Sequence, residues 1–472
     1  SLADTRPFGS IQGGASLTGD YRTVRGDFPY EVPAVRGGGT ALRENSDVTS
    51  RQLLGGLSLD DEDRSIALRG SLQDLSRGLP GSIVQPSLTG REGQVREDAD
   101  VDGSWRHGIV SWSGATNLTH ERVTYIDPSP PFGTAYDDTV DATTFDASGN
   151  VVVGSDALSA SLGGEARGLD ISATMLAPGA PTWQRLLGAF GNLHRSQPLG
   201  DGETVAGLDL SARVDESSLF DGITTSPRIE TSLSRGIVVA SASLGAGYTP
   251  PSLADQFFHE GVLVQPNPNL KPERTSADLE GRLAIHDAVA GPFVLSGEGS
   301  VYRANIDGMI LWLPDFRFVW SPSNFDVHRS GWELNGAAAL QRAGLDLQGT
   351  LSHTDVAYTG PVLSGQVAYR PRTTASITSG INLHMTRLEI TDQYVGERRT
   401  VAGSGLNVLD PYWRTDARLT SSRPWGSWQL DGTLGVENLF DRQAAMLVDY
   451  PFPSRTWMVS LRIRRAGSSH AQ

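Results

Sequence analysis

Apolar and polar positions alternate along most of this chain. In 428–437, Trp428, Leu430, Gly432, Leu434 and Val436 share one side; Gln429, Asp431, Thr433, Gly435 and Glu437 share the other. Segment 277–286 sets Ala277, Leu279, Gly281, Leu283 and Ile285 against Asp278, Glu280, Arg282, Ala284 and His286. Segment 98–106 sets Ala99, Val101, Gly103 and Trp105 against Asp98, Asp100, Asp102, Ser104 and Arg106. Near the end, Trp457, Val459, Leu461 and Ile463 oppose Thr456, Met458, Ser460, Arg462 and Arg464. Successive side chains of a strand point to opposite faces, so period two predicts strands with one apolar face. Similar strands are expected to start near Leu158, Leu208, Val238, Phe293 and Leu345. The pattern predicts an all-β protein.

Faces of such different polarity need two solvents. A soluble sandwich hides the apolar face and wets the polar one. A membrane barrel sets the apolar face against lipid and the polar face against a wet lumen. Alternation alone leaves both open, and three details favour the barrel. Several strands carry two or three charges on the polar face. The apolar face accepts Gly and Ala, which fill a packed core poorly but sit well against fluid lipid. Aromatics fall near strand ends, at Trp105, Tyr248, Trp428 and Trp457, where interfacial girdles belong.

Length agrees. Plugged outer-membrane transporters have about 22 strands. Spread over 472 residues, that gives roughly 21 per strand, about half for the span and half for a turn or loop. No apolar run is long enough for a membrane helix. The mean hydropathy of -0.25 decides nothing, because a barrel strand shows lipid only every second residue.

Composition narrows the chemistry. Without cysteine, disulfides and thiol catalysis are excluded. A net charge of -15 argues against a nucleic-acid partner, although Arg282, Arg372 and Arg462 are candidates to line a lumen. The sequence opens at Ser1 without a signal peptide, as expected of a processed chain or a fragment. Asp98-Ala99-Asp100-Val101-Asp102-Gly103 imitates a calcium loop, but Ile109 stands where the bidentate Glu is needed. A solvated strand face explains the run better; a cation site is the alternative. The histidines show no metal-ligand spacing, and no nucleophile–base pair stands out. No metal, cofactor or enzymatic activity is expected.

A set of short motifs in order says more. Gly247-Tyr248-Thr249-Pro250-Pro251-Ser252-Leu253 precedes Asn267-Pro268-Asn269-Leu270-Lys271-Pro272-Glu273-Arg274, which holds the sole lysine of the chain. Then come Asn305-Ile306-Asp307-Gly308-Met309-Ile310, Asn324, and Arg329-Ser330-Gly331-Trp332-Glu333. Arg370-Pro371-Arg372-Thr373-Thr374-Ala375 follows, then Asn438-Leu439-Phe440-Asp441, then Tyr450-Pro451-Phe452-Pro453 before the last strand. Each fragment alone is weak. Together they resemble the signature of TonB-dependent outer-membrane receptors. Most of the signature residues, among them Pro251, Asn267, Leu270, Pro272, Glu273, Gly331, Glu333, Asn438, Leu439, Phe440 and Asp441, are of turn-forming or strand-locking types.

The resemblance implies an antiparallel transmembrane barrel of about 22 strands, with long extracellular loops and short periplasmic turns. The barrel would occupy 1–465, entering near Gly9–Leu17, and 466–472 would be a short polar tail. The family's N-terminal plug is not recognised in this sequence. Both chain ends should lie on the periplasmic side. The implied function is TonB-dependent uptake of a small scarce nutrient, such as a ferric siderophore, cobalamin or an oligosaccharide. Implied partners are outer-membrane lipid, the TonB system, and a plug or another polypeptide filling the lumen. The alternative is a plug-less structural or partner-binding barrel in an outer-membrane assembly.

Outer loops are expected near 82–94, 127–150, 252–275 and 314–326. Aromatics gather there: Phe257, Phe258, Trp312, Phe316, Phe318, Trp320 and Phe325, with His259 beside Glu260. They either build a girdle and pack the loops on themselves, or capture ligand from mobile loops.

Overall fold

The computed structural model describes residues 2–200, 202–219, 222–258, 264–315, 319–361, 363–401 and 407–465. One antiparallel sheet of 22 strands dominates. A two-residue strand, Gly365–Gln366, belongs to a loop, and the other 21 form the wall. In chain order these are β1 Leu2–Phe8, β2 Ile11–Val24, β3 Val48–Asp60, β4 Arg64–Gly78, β5 Arg91–His107, β6 Val110–Asp127 and β7 Tyr136–Gly154. Next are β8 Leu158–Ala173, β9 Trp183–Leu199, β10 Thr204–Ser217, β11 Ile223–Arg235, β12 Val238–Thr249, β13 Glu273–Ala290 and β14 Phe293–Pro314. The last are β15 Trp320–Leu340, β16 Leu345–Tyr358, β17 Thr373–Leu383, β18 Thr386–Val395, β19 Tyr412–Trp425, β20 Trp428–Glu437 and β21 Thr456–Arg465. Each strand pairs with its neighbour in sequence.

Register carries the alternation around the wall. Leu17, Gly55, Gly70, Ala99 and Leu118 are successive partners across β2–β6. Leu283, Gly299, Leu334, Leu351 and Ala375 do the same across β13–β17. These rows face outward. Val459 is 79% exposed and Leu162 71%, as a lipid-facing surface requires. The opposite face is wet and ionic. Arg213 pairs with Asp215 at 2.6 Å and Glu165 at 2.9 Å. Arg387 grips Asp346 with two nitrogens, at 2.6 and 2.8 Å, and Arg282 pairs with Glu280 at 3.1 Å. Arg372 instead lies on the outward side, against Asp355.

Connections are short at one rim and long at the other. Gly108 and Gly236, at φ 58° and 56°, each open a two-residue turn that needs a left-handed residue. With an odd number of wall strands, the expectation for the ends fails. β1 begins at the long-loop rim and β21 ends at the short-turn rim. Strand structure already starts at Leu2, before the expected Gly9–Leu17.

Long-loop contacts clasp the two ends of the sheet. Arg36 holds Asp449 with two hydrogen bonds, at 3.1 and 2.9 Å. Ser454 Oγ donates to the Pro29 carbonyl at 2.6 Å, and Ile83 N donates to the Asp449 carbonyl at 3.0 Å. Residues 466–472, expected as a tail, lie outside the described residues.

Candidate ligand-binding mouth

At the long-loop rim, residues 250–272 join β12 to β13. Pro250 and Pro251 end the strand, and Ser252 caps a one-turn helix, α1 Leu253–Phe257. Ser252 Oγ accepts from Asp255 N at 3.0 Å, and Asp255 Oδ2 accepts from Ser252 N at 3.3 Å, a reciprocal cap. The helix crosses to the wall formed by β6–β8. Leu253 and Phe258 bury themselves there against Ile171 and Met175, with Tyr125, Val140, Ala142 and Ala173 around them. Ala177 N donates to the Phe257 carbonyl at 2.9 Å, and Phe258 pairs with Leu176 in an antiparallel bridge. Val140, Ala142, Ile171 and Ala173 occupy lumen-facing positions, so this segment straps across the inside of the mouth.

The return limb is tied to β14 and β15. Trp312 Nε1 donates to Asp255 Oδ1 at 2.7 Å. Asn267 N donates to the Asp255 carbonyl at 2.9 Å, and Asn267 Nδ2 to the Pro322 carbonyl at 3.0 Å. Leu270 and Pro251 are buried. Pro272 precedes β13 and has no N–H to leave unpaired. The pairing of β14 with β15 slips between Ile306 and Met309, at Gly308, φ 72°. A bulge orphans backbone groups, and signature side chains take them up. Glu273 Oε1 accepts from Ile310 N at 2.6 Å. Asn324 Nδ2 donates to the Gly308 and Lys271 carbonyls at 2.6 and 2.9 Å. Asp326 Oδ1 accepts from Gly308 N at 2.9 Å. The Glu273→Ala substitution leaves Ile310 N–H unpaired, and should lower barrel stability by about 1–3 kcal/mol, measured by urea unfolding in micelles.

Other signature residues are structural in the same sense. A Cβ on Gly331 would meet the His353 carbonyl at 2.3 Å and the Tyr302 hydroxyl at 2.7 Å, so the Tyr302 ring occupies the space a side chain would need. Glu333 is exposed on the lumen face. Asn438 and Asp441 adopt left-handed φ of 51° and 53°, which Asn and Asp tolerate best after glycine. Asn438 Oδ1 accepts from Arg442 N and Asp441 Oδ1 from Arg455 N, both at 2.8 Å. Leu439 N donates to the Thr415 carbonyl at 2.7 Å, while Phe440 stays exposed.

The predicted aromatics divide. Phe257, Phe258 and Trp312 belong to the strap and its latch. Trp320 opens β15 beside Val264, and Phe325 meets Tyr358 edge-on at 5.8 Å. His259, Phe316 and Phe318 lie outside the described residues. Two expected loops prove to be mostly strand: β7 already starts at Tyr136 and β15 at Trp320. β14 has 22 residues and β15 has 21, twice what a membrane span needs, so the hairpin continues well beyond the lipid. Sequence reasoning missed the wall beneath the strap. Its signal was available: Val140, Ala142, Ile171 and Ala173 are apolar residues in the polar phase.

Two further arginines organise the rim. Arg398 Nη1 donates to the Ala445 carbonyl at 2.8 Å and Nη2 to the Asp410 carbonyl at 3.2 Å, beneath the Tyr412 ring. Arg43 donates to the Gly81 carbonyl and lies over Tyr450. Burial draws both guanidinium pKa values below the ordinary arginine range, while the nearby phenols push them back up. Gln256, on the strap, is buried with its Oε1 lacking a hydrogen-bond partner, a polar atom whose desolvation is uncompensated. Among the described residues, no group of three or more acidic or histidine side chains is placed to hold a metal.

The family model for the TonB-dependent receptor-like β-barrel matches residues 4–439. The chain belongs to that family. TonB-dependent receptors are outer-membrane receptors and transporters rather than enzymes, and exposed apolar rows backed by a polar face suit a wall set in a membrane. Solved relatives share the fold at low identity. The copper transporter OprC is 14% identical with a TM-score of 0.72, over 96% of this chain and 76% of that one. The ferric-catecholate import receptor Fiu of E. coli K12 is 10% identical, TM-score 0.71, over 97% and 78%. The siderophore receptor PirA of Acinetobacter baumannii is 11% identical, TM-score 0.68, over 97% and 79%. No curated protein matches the sequence.

Proposed function

We propose that this TonB-dependent receptor barrel captures a small, scarce nutrient at its outer mouth, and that metal chelates such as ferric siderophores are its substrate class. Cobalamin and oligosaccharides are the other candidates. The observation that carries the reading is the strap: a loop folded inside the mouth of a charge-lined lumen, with the Gln256 carboxamide oxygen buried and unpaired on it. The receptors of similar fold named for ferric catecholate, siderophore and copper support the metal-chelate class. A hydrated ligand is compatible with the ionic lumen. Uptake would draw on the TonB system, with a plug or another polypeptide filling the lumen.

The reading is tested by titrating the purified chain in detergent with ferric siderophores, cobalamin and oligosaccharides, following tryptophan fluorescence. A ferric siderophore should bind at micromolar concentration or below. The Gln256→Met variant, which keeps the volume and removes the orphaned oxygen, should bind several-fold more weakly while staying folded. Binding of cobalamin alone, or of none of the three classes, sinks the metal-chelate reading.

A further inference from the structure

The outward face of β14 carries a charged group that the barrel does not use. From Phe293 the lipid-facing positions run through 295, 297, 299 and 301 to 303, about ten residues, the length of a tilted strand crossing hydrocarbon. Arg303 therefore stands at the outer edge of the apolar band, on the lipid side. Its register partners are Leu279 and Ser330. One step further out, Asn305 faces His328; one step further in, Val301 faces Trp332.

Arg303 has no hydrogen bond or ion pair with any described residue. Asp355, the carboxylate one strand beyond Ser330, is already held by Arg372 Nε at 2.9 Å. His328 Nδ1 lies 2.9 Å from Asn305 Oδ1. That contact makes Nδ1 the donor and leaves Nε2 as an acceptor, able to take the P–OH hydrogen of a phosphate monoester. Directly below, the Trp332 and His353 rings stack at 5.9 Å and 19°, and exposed Val301 and Leu334 continue the apolar surface toward the middle of the band. An unpaired guanidinium at the top, a hydroxyl and an imidazole beside it, and a smooth apolar strip beneath match an anionic headgroup with its chains. The planar fork of arginine fits phosphate oxygens in pairs.

We propose that Arg303, Ser330 and His328 bind the phosphate headgroup of an outer-leaflet lipid, whose acyl chains lie along Val301, Trp332 and Leu334. The site is separate from the mouth, faces the opposite side of the wall, and does not depend on which nutrient the receptor takes.

The test titrates the whole chain, in neutral detergent, with phosphatidic acid and counts retained lipid by native mass spectrometry. The Arg303→Ala variant should bind about tenfold more weakly, the loss of one charge-assisted contact. Arg303→Lys, which keeps charge without the fork, should fall between. Arg51→Ala removes another outward arginine, one already paired with Asp74 at 3.3 Å, and should bind like the parent. Diacylglycerol of the same chains should not be retained, and millimolar inorganic phosphate should not displace the lipid. Heat-modifiable gel migration checks that each variant is folded. Equal retention by the parent and a folded Arg303→Ala, equal losses in Arg303→Ala and Arg51→Ala, or retention of diacylglycerol overturns the proposal. Displacement by inorganic phosphate also overturns it, since the site would then be an anion site and not a lipid site.

Discussion

Replacing Leu334 by arginine should cost the folded barrel about 2–4 kcal/mol. Leu334 is half exposed, between Gly299 and Leu351 in an outward row near the middle of the band. On a water-soluble protein, a charge at such a position would be harmless. Here the solvent is hydrocarbon, and the guanidinium must either shed its water or drag water into the lipid. The adjacent Asn335→Arg is the internal control. Asn335 faces the lumen opposite Glu298, where water and a counter-charge are at hand, and the change should stay within about 0.5 kcal/mol. Urea titration of barrels folded into phospholipid bilayers, read by tryptophan fluorescence, compares the two. Similar costs for both variants would mean that the two faces do not meet different solvents.

The second large effect is expected at Asp255. One of its carboxylate oxygens accepts the Trp312 indole N–H, the other completes the cap with Ser252, and its backbone carbonyl receives Asn267 N. A hydrogen bond to a charged acceptor contributes about 1.5–3 kcal/mol and a helix cap about 1 kcal/mol. Asp255→Ala should therefore weaken the strap locally by roughly 2–4 kcal/mol, while the wall keeps its own pairing. The observable is limited proteolysis: cleavage within 250–272 should accelerate many-fold, with heat-modifiable migration unchanged. Asp255→Asn retains an acceptor for the indole and should lie between. If Asp255→Ala resists protease like the parent, the strap is held by the Leu253 and Phe258 packing and its backbone hydrogen bonds instead.

Much of this architecture was legible because two solvents write themselves into a strand at period two. Val101 and Trp105, Leu279 and Leu283, and Val459 and Leu461 all face outward as the alternation predicts. Starts at Leu158, Val238, Phe293 and Leu345 are also met. What the pattern could not convey is height. Above the lipid both faces of a strand are wet, alternation fades, and hydrogen-bonded pairing continues unannounced, so Tyr136 and Trp320 were read as loop. The strap was hidden for another reason. Phe258 and Ile171 are far apart in sequence, and period two speaks only of neighbours. The family signature was read as turn-forming, and Asn267, Glu273 and Asn324 hold a turn and a bulge together. Nothing in their order reveals that the same knot anchors a segment reaching the opposite wall.

The clasp between Arg36 and Asp449 has a kinetic consequence. Nearly every ladder in the wall joins strands adjacent in sequence, so hairpins can add one to the next with little loop entropy to overcome. The clasp joins residues 413 positions apart. Beside it, the Ser454–Pro29 contact spans 425 positions, and both can form only after the intervening wall is in place. Their geometry therefore bears on how long a partly assembled sheet keeps its edges open, and with them its exposure to wrong partners, more than on the stability of any single hairpin.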